Sequence, residues 1–173
     1  MRIAFIGGGT MGEAMVKCLL VRGVAAPQDI MVSDVSPLRR KLLSQEYGVN
    51  TLADNGKAIE GADIIILAVK PQNLSQAMKE MLKANSLQPI ALVLSIVAGV
   101  SLNSLCRSLN HPSVVRAMPN MPAQIGQGMT VWTATAEVSP KQREMAQAIL
   151  GALGEEIYVD DEKYLDMATA LSG

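Results

Sequence analysis

Residues 3–12 read IAFIGGGTMG, and this stretch decides the fold. Four apolar residues run into glycines. A segment follows in which Met11, Ala14, Met15, Cys18 and Leu19 share one helical stripe. Strand, glycine turn and helix form the context in which G-x-G-x-x-G holds a dinucleotide, and Gly7-Gly8-Gly9-Thr10-Met11-Gly12 fits that pattern. Gly7 allows the tight turn. The bare Gly9 lets a pyrophosphate approach the backbone, and Gly12 lets the helix pack on the strand. The free amides and dipole at the helix start then face the phosphates.

Outward from this loop the chain alternates strand and helix. Strands are expected at Arg2–Ile6, Ile30–Ser33, Val49–Leu52, Asp63–Val69, Ile90–Val97, Val114–Met118, Met129–Ala134 and Glu156–Val159. Helices are expected at Met11–Val21, Pro37–Tyr47, Asn55–Glu60, Gln72–Ala84, Ser101–Leu109, Pro140–Leu153 and Glu162–Leu171. The continuous apolar runs DIIILAV and IALVLSIV suit central parallel strands covered on both faces. The pattern predicts an α/β fold: a Rossmann-type, doubly wound, mainly parallel sheet. The acidic stretch Asp160, Asp161, Glu162 is the one candidate domain boundary.

A chain of 173 residues holds one domain with a sizeable core. Fifteen Lys+Arg against sixteen Asp+Glu, a net charge of -1, argue against nucleic acid and polybasic membrane contact. Five aromatic residues (one Phe, one Trp, three Tyr) leave little to stack bases on. The apolar run before Gly7 is too short for a signal peptide or a membrane span. Cys18 and Cys106 fall on separate predicted helices and are expected to be reduced core fillers of a cytoplasmic protein. His111 is the single histidine and is expected in a loop without a catalytic role, so no metal site is expected.

Three more segments point to a cofactor groove. Asp34 closes the second strand 22 residues after Gly12, where a carboxylate binds adenosine ribose hydroxyls and favours NADH. Ser36, Arg39 and Arg40 follow at once. An Arg there holds the 2′-phosphate of NADPH, so both NAD and NADP stay open. The loops Ala68-Val69-Lys70-Pro71 and Val97-Ala98-Gly99-Val100 lie at carboxyl ends of strands, where open α/β sheets bind ligands. Residues 114–130, VVRAMPNMPAQIGQGMT, place Asn120 in a rigid polar turn between prolines. Its carboxamide either fixes a polar ring or satisfies its own backbone.

Taken together, FIGGGTMGEAM, LAVKPQ, LSIVAGV, VVRAMPNMPA and ALSG resemble pyrroline-5-carboxylate reductase in order and spacing. The resemblance covers the whole chain. It implies that residues 1–160 are the dinucleotide-binding Rossmann domain and 161–173 the start of a helical dimerisation and substrate domain. In the family that domain follows an L/V-S-G-S-x-P-A-Y motif. The closing DMATALSG would put Asp166, Met167, Ala170 and Leu171 on one helical face and start that motif. The chain is therefore expected to be the cofactor-binding part of a longer protein.

The resemblance also implies a reaction and its site. Hydride passes from NADPH or NADH to the C=N carbon of 1-pyrroline-5-carboxylate, an imino acid, giving proline. The cofactor residues would be Gly7, Gly8, Gly9, Thr10, Met11 and Gly12 at the pyrophosphate, and Asp34 and Asn55 near the adenosine ribose. Ala68, Val69, Lys70 and Pro71 would border the groove, with Val97, Ala98 and Asn120 near the nicotinamide. No catalytic residue is implied within this chain, since an imine is basic enough to carry its own proton. The full-length form would be a homo-oligomer. Three residues depart from the family pattern: Met121 replaces the usual Thr, Thr10 the usual Asn or Gln, and Asp34 is untypical of members that prefer NADPH. Competing readings are a deazaflavin-dependent NADP reductase, a beta-hydroxyacid dehydrogenase-like enzyme, and a non-catalytic dinucleotide-binding module.

Overall fold

The computed structural model describes residues 1–172. Eight strands form one sheet in the order β3-β2-β1-β4-β5-β6-β7-β8. They are β1 (Ile3–Ile6), β2 (Ile30–Ser33), β3 (Asn50–Leu52), β4 (Ile64–Leu67), β5 (Leu92–Ser95), β6 (Val114–Pro119), β7 (Gly128–Ala134) and β8 (Gly154–Tyr158). From β3 to β6 all neighbours are parallel. β7 then runs antiparallel to β6, and β8 parallel to β7. The helices are α1 (Thr10–Val21), α2 (Pro37–Tyr47), α3 (Asn55–Ala58), α4 (Pro71–Lys83), α5 (Leu102–Leu109), α6 (Pro140–Gly151) and α7 (Lys163–Ser172).

The continuous apolar strands are buried on both faces, and alternation divides their side chains between two cores. Ile3 and Phe5 of β1, Ile64 and Ile66 of β4, and Leu92 and Leu94 of β5 point to the core covered by α1, α2 and α6. Ala4 and Ile6, Ile65 and Leu67, and Val93 point to the core covered by α3, α4 and α5. This is the doubly wound arrangement expected from the sequence, with the direction of β1 carrying the chain into the glycine loop. The strand order reverses between β1 and β4, which opens a crevice at their carboxyl ends.

Boundaries differ from expectation where local chemistry intervenes. The strand read as Ile90–Val97 is Leu92–Ser95, because Ile90 is 79% exposed and its carbonyl accepts from Gln142 Nε2 at 3.1 Å. The short helix ends at Ala58 rather than Glu60, since the chain turns at Gly61 (φ +69) to enter β4. The segment after Asn120 is more than a turn. Met121–Ile125 forms a 3-10 helix that buries Ala123 against α1, where Cys18 Sγ lies 3.6 Å from the Ala123 carbonyl. A second 3-10 turn, Pro27–Asp29, leads into β2. His111 does lie in a loop, yet it is only 4% exposed, with Nε2 2.7 Å from the Ala91 carbonyl. Gly173 and the side chains at 169, 171 and 172 lie outside the described residues, so the expected ALSG start of a further motif and the Leu171 position on the helical face do too. Among the described residues no helix is long and apolar enough to cross a membrane.

One buried charge ties α7 to the sheet. Arg116 on β6 is 2% exposed, and its Nη1 and Nη2 donate to Glu162 and Asp166, each at 2.7 Å. Glu162 Oε1 also accepts the Leu102 amide at 2.8 Å, so one carboxylate joins α7, β6 and the start of α5. Arg116 Nε is buried with no partner among the described residues. Removing a partner from a buried ion is costly because the remaining charge stays desolvated. Glu162 is 29% exposed and Asp166 66% exposed, so the cost falls below that of a fully buried pair. Glu162→Ala is expected to destabilise by about 2 kcal/mol and lower Tm by roughly 5 °C. Asp166→Ala is expected to cost under about 1 kcal/mol. Paired thermal melts check the ranking, and equal effects would contradict it.

Candidate functional site

The loop after β1 is packed so tightly that most of its glycines are structural. Gly7 has φ +104, and a Cβ there would lie 2.7 Å from the Ala68 carbonyl oxygen at the end of β4. A Cβ on Gly12 would lie 2.5 Å from the Gly7 carbonyl oxygen. One on Gly8 would lie 2.6 Å from Leu43 Cδ1 of α2. Gly9 is different. A Cβ there would meet nothing within 4 Å. Gly9 caps α1 with no side-chain acceptor, so the first amides of that helix are left facing open space.

A polar network supports the loop from below. Asp34, just past β2, accepts the Gly8 amide on Oδ2 at 2.9 Å and the Ser36 amide on Oδ1 at 2.8 Å. Arg39 of α2 donates Nε and Nη2 to the Gly8 carbonyl at 2.8 and 2.6 Å, and Nη2 to Glu13 Oε2 at 2.5 Å. Tyr47 donates its hydroxyl to Glu13 Oε1 at 2.9 Å. Arg40 sits higher on α2, its Nη1 donating to the Asp34 and Val35 carbonyls at 2.7 and 3.1 Å. On the other side of Asp34, Ser33 Oγ donates to Asn55 Oδ1 at 2.6 Å. Asn55 Nδ2 donates to Glu80 Oε2 at 2.7 Å, and Gln76 Nε2 to Glu80 Oε1 at 2.8 Å. This relay spans the crevice from β2 to α4.

Two adjoining hollows lie over the carboxyl ends of the strands. The first, about 420 Å³, is bounded by Gly7, Gly9, Asp34, Asn55, the Ala68–Lys70 loop and one face of α4. The second, about 350 Å³, is bounded by Gly9–Met11, Ala68–Pro71, Ile96–Ala98 and Pro119. They share Gly9, Ala68, Val69 and Lys70, so together they form one groove with Gly9 at its middle. Lys70 is exposed, caps α4 with its backbone only, and borders both hollows. The two lobes suit an elongated ligand with an anionic centre between two rings.

Of the residues expected at the cofactor, Gly7, Gly9, Asp34, Asn55, Ala68, Val69 and Lys70 line the first hollow. Thr10, Met11, Pro71, Val97 and Ala98 line the second. Gly8 and Gly12 act from beneath, through packing. Asn120 lines neither hollow. It stands one residue beyond Pro119, and its Oδ1 accepts the Met129 amide at 2.9 Å, a bond to the start of β7 rather than to its own backbone. The helix cap at α3 is Asp54, whose Oδ1 accepts the Lys57 amide, which leaves Asn55 to the relay. The sequence reading did not single out Asn73, Gln76, Ala77 or Glu80. They recur at i, i+3, i+4 and i+7 on α4, a helical face directly after the Ala68–Pro71 loop, and that spacing was the available signal.

The Glu13–Arg39–Tyr47 cluster carries a pH signature. Burial raises the Glu13 carboxyl, but the hydrogen bonds from Arg39 and Tyr47 outweigh it and hold the group below its ordinary 4.5. Burial, and then the Glu13 contact, push the Tyr47 phenol from 10.0 up to about 12. A depressed carboxyl stabilises the fold above pH 4.5, and the gain is lost as pH falls through its folded value. A raised phenol stabilises below pH 10.0, and that gain is lost as pH climbs towards about 12. Glu13→Gln is expected to flatten the acid limb of a Tm-against-pH curve below pH 4.5, and Tyr47→Phe the alkaline limb above pH 10.0. Limbs unchanged in both variants would contradict the assignment.

Comparison with known proteins gives a consistent set of likenesses. Residues 2–99 match the family described as NADP oxidoreductase coenzyme F420-dependent. The chain is 39% identical to a pyrroline-5-carboxylate reductase of Pseudomonas aeruginosa over 99% of its own length and 62% of that protein. It is 37% identical to one from Synechocystis, over 99% of the chain and 63% of that protein. Its fold superposes on the pyrroline-5-carboxylate reductase of Coxiella burnetii with a TM-score of 0.92 at 34% identity, over 99% of this chain and 63% of that one. A Plasmodium falciparum pyrroline carboxylate reductase solved with NADP bound shares the fold at a TM-score of 0.86 and 23% identity, over 100% of this chain and 62% of that one. The chain thus spans a little over three-fifths of the length of these relatives.

Proposed function

The chain belongs to the family described as NADP oxidoreductase coenzyme F420-dependent, and from that premise we propose that it is the dinucleotide-binding part of a pyrroline-5-carboxylate reductase. In this reading residues 1–160 are the cofactor domain and 161–173 begin the helical domain that dimerises and receives the imino acid. The work is done in the cytoplasm on a small-molecule substrate. The observation that carries the reading is Gly9, a position with open space where a Cβ would stand, at the head of α1 and at the centre of a two-lobed groove. Likeness to pyrroline-5-carboxylate reductases over 99% of the chain supports the choice of reaction.

A nicotinamide held here would supply a hydride to the carbon of the protonated C=N bond of 1-pyrroline-5-carboxylate, whose nitrogen keeps its proton and takes the π electron pair to give proline. The chain's own residues bind and orient. The first amides of α1 receive the pyrophosphate at Gly9–Met11, helped by the dipole of α1. Asp34 and Asn55 lie at the adenosine ribose, and Val69, Lys70 and Pro71 form the wall between the lobes. Val97, Ala98 and Pro119 shape an apolar seat for the nicotinamide ring, with Asn120 supporting it from behind. Holding the ring in one orientation is the chain's contribution to rate. None of these residues acts as acid or base in this reading.

The family description also names a deazaflavin coenzyme, and its match covers residues 2–99, the cofactor half shared by both readings. A deazaflavin-linked NADP reductase is therefore the second reading. Two measurements test the proposal. Titration with NADH and NADPH is expected to show saturable binding, and Gly9→Val is expected to weaken it at least about a hundredfold with the fold retained, since a Cβ there meets only open space. Undiminished affinity in that variant would remove the glycine loop from the site. The protein expressed from its complete coding sequence is then expected to oxidise NADH or NADPH with 1-pyrroline-5-carboxylate. Turnover with a deazaflavin alone would favour the second reading.

A further inference from the structure

We infer that the adenosine end of the groove selects NADH and rejects the 2′-phosphate of NADPH. The inference rests on the dinucleotide reading above and concerns the one choice that reading leaves open. A 2′-phosphate needs cations or free N–H donors where the ribose edge meets the β2–α2 loop. Here those donors are already taken. The Gly8 and Ser36 amides, which flank that position, both donate to the Asp34 carboxylate, at 2.9 and 2.8 Å. The chain's own anion fills the place that the ligand's phosphate would need.

The nearby arginines are placed for other work. Arg39 is turned under the glycine loop. Two of its nitrogens hold the Gly8 carbonyl and one is paired with Glu13, which Tyr47 fixes from its other oxygen. It borders neither hollow. Arg40 borders neither hollow either, and its Nη1 is held by the Asp34 and Val35 carbonyls. The charged residues that do line the first hollow are Asp34, Glu80 and Lys70. Lys70 stands where the two hollows meet, on the pyrophosphate side. Two carboxylates thus line the adenosine end, with the Arg40 guanidinium set behind them on the Asp34 and Val35 carbonyls. A ribose diol can donate to these carboxylates, whereas a phosphate carrying about -1.5 to -2 charge is repelled by them.

The test is a fluorescence titration of the 173-residue chain with NADH and, separately, NADPH, repeated on Asp34→Ser and Glu80→Gln. The unsubstituted chain is expected to bind NADH at least about tenfold more tightly. Asp34→Ser frees two amides beside Arg40 and is expected to raise NADPH affinity about tenfold while NADH affinity falls. Glu80→Gln leaves the glycine loop untouched and is expected to raise NADPH affinity severalfold relative to NADH. It keeps the inference testable should Asp34→Ser disturb the loop. Equal affinities, or tighter NADPH binding, in the unsubstituted chain would overturn the inference while leaving the dinucleotide reading standing. A selectivity ratio unmoved in both variants would overturn it as well. Binding of neither dinucleotide would overturn the reading beneath it, and the inference with it.

Discussion

The close approach of α1 to the end of β4 is the constraint on which the rest depends. At Gly12 an added Cβ would stand 2.5 Å from the Gly7 carbonyl, and at Gly7 one would stand 2.7 Å from the Ala68 carbonyl. No side chain can be accommodated at either point without moving backbone. With both bare, the loop folds flat onto the sheet, and the first turn of α1 comes to rest between the ends of β1 and β4. That junction is where the strand order reverses, and the groove opens there. A bulkier residue at either position would lift α1 and change the shape of both hollows together.

The loop is held from beneath by charge. Gly8 gives its amide to Asp34 and its carbonyl to Arg39, so both backbone groups of one residue are fixed by side chains from the β2–α2 region. Arg39 is in turn fixed by Glu13 on α1, which Tyr47 on α2 also holds. The chain of contacts closes on itself: α1, loop, β2, α2 and back to α1. An arginine in this position is easily taken for a phosphate anchor when only its place in the sequence is known. Its Nε and Nη2 bonds to Gly8 and Glu13 turn it under the loop, so three of its five N–H donors serve the scaffold.

The fold was legible because its signals are local. Runs such as Ile64–Leu67 and Leu92–Ser95 can be satisfied only by burial on both faces, and the two cores take alternate residues from each. Apolarity alone extends β5 too far at Ile90, which is 79% exposed and gives its carbonyl to Gln142 of α6. The groove-lining loops were legible from their position after strands. The α4 face was less so, since Asn73, Gln76 and Glu80 look like an ordinary solvated stripe until β2 and α3 are placed opposite them. Arg116 was hidden for the same reason. Its partners stand 46 and 50 residues away, and only the packing of α7 against β6 brings them together.

The glycine motif itself holds two kinds of information, and the structure separates them. A Cβ on Gly8 would meet the movable end of the Leu43 side chain, whereas Gly7 and Gly12 are explained completely by the backbone oxygens beside them. Any protein that packed a helix this closely on a strand would need them, whether or not it bound a ligand. Gly9 has no such neighbour. Its backbone adopts an extended conformation open to any residue, with φ -71 and ψ -169, and its Cβ position is empty. Neither packing nor backbone geometry asks for glycine there. What remains is the space itself, above the unpaired amides of α1 and between two hollows. A pyrophosphate seated there would account for a glycine that neither packing nor backbone geometry requires.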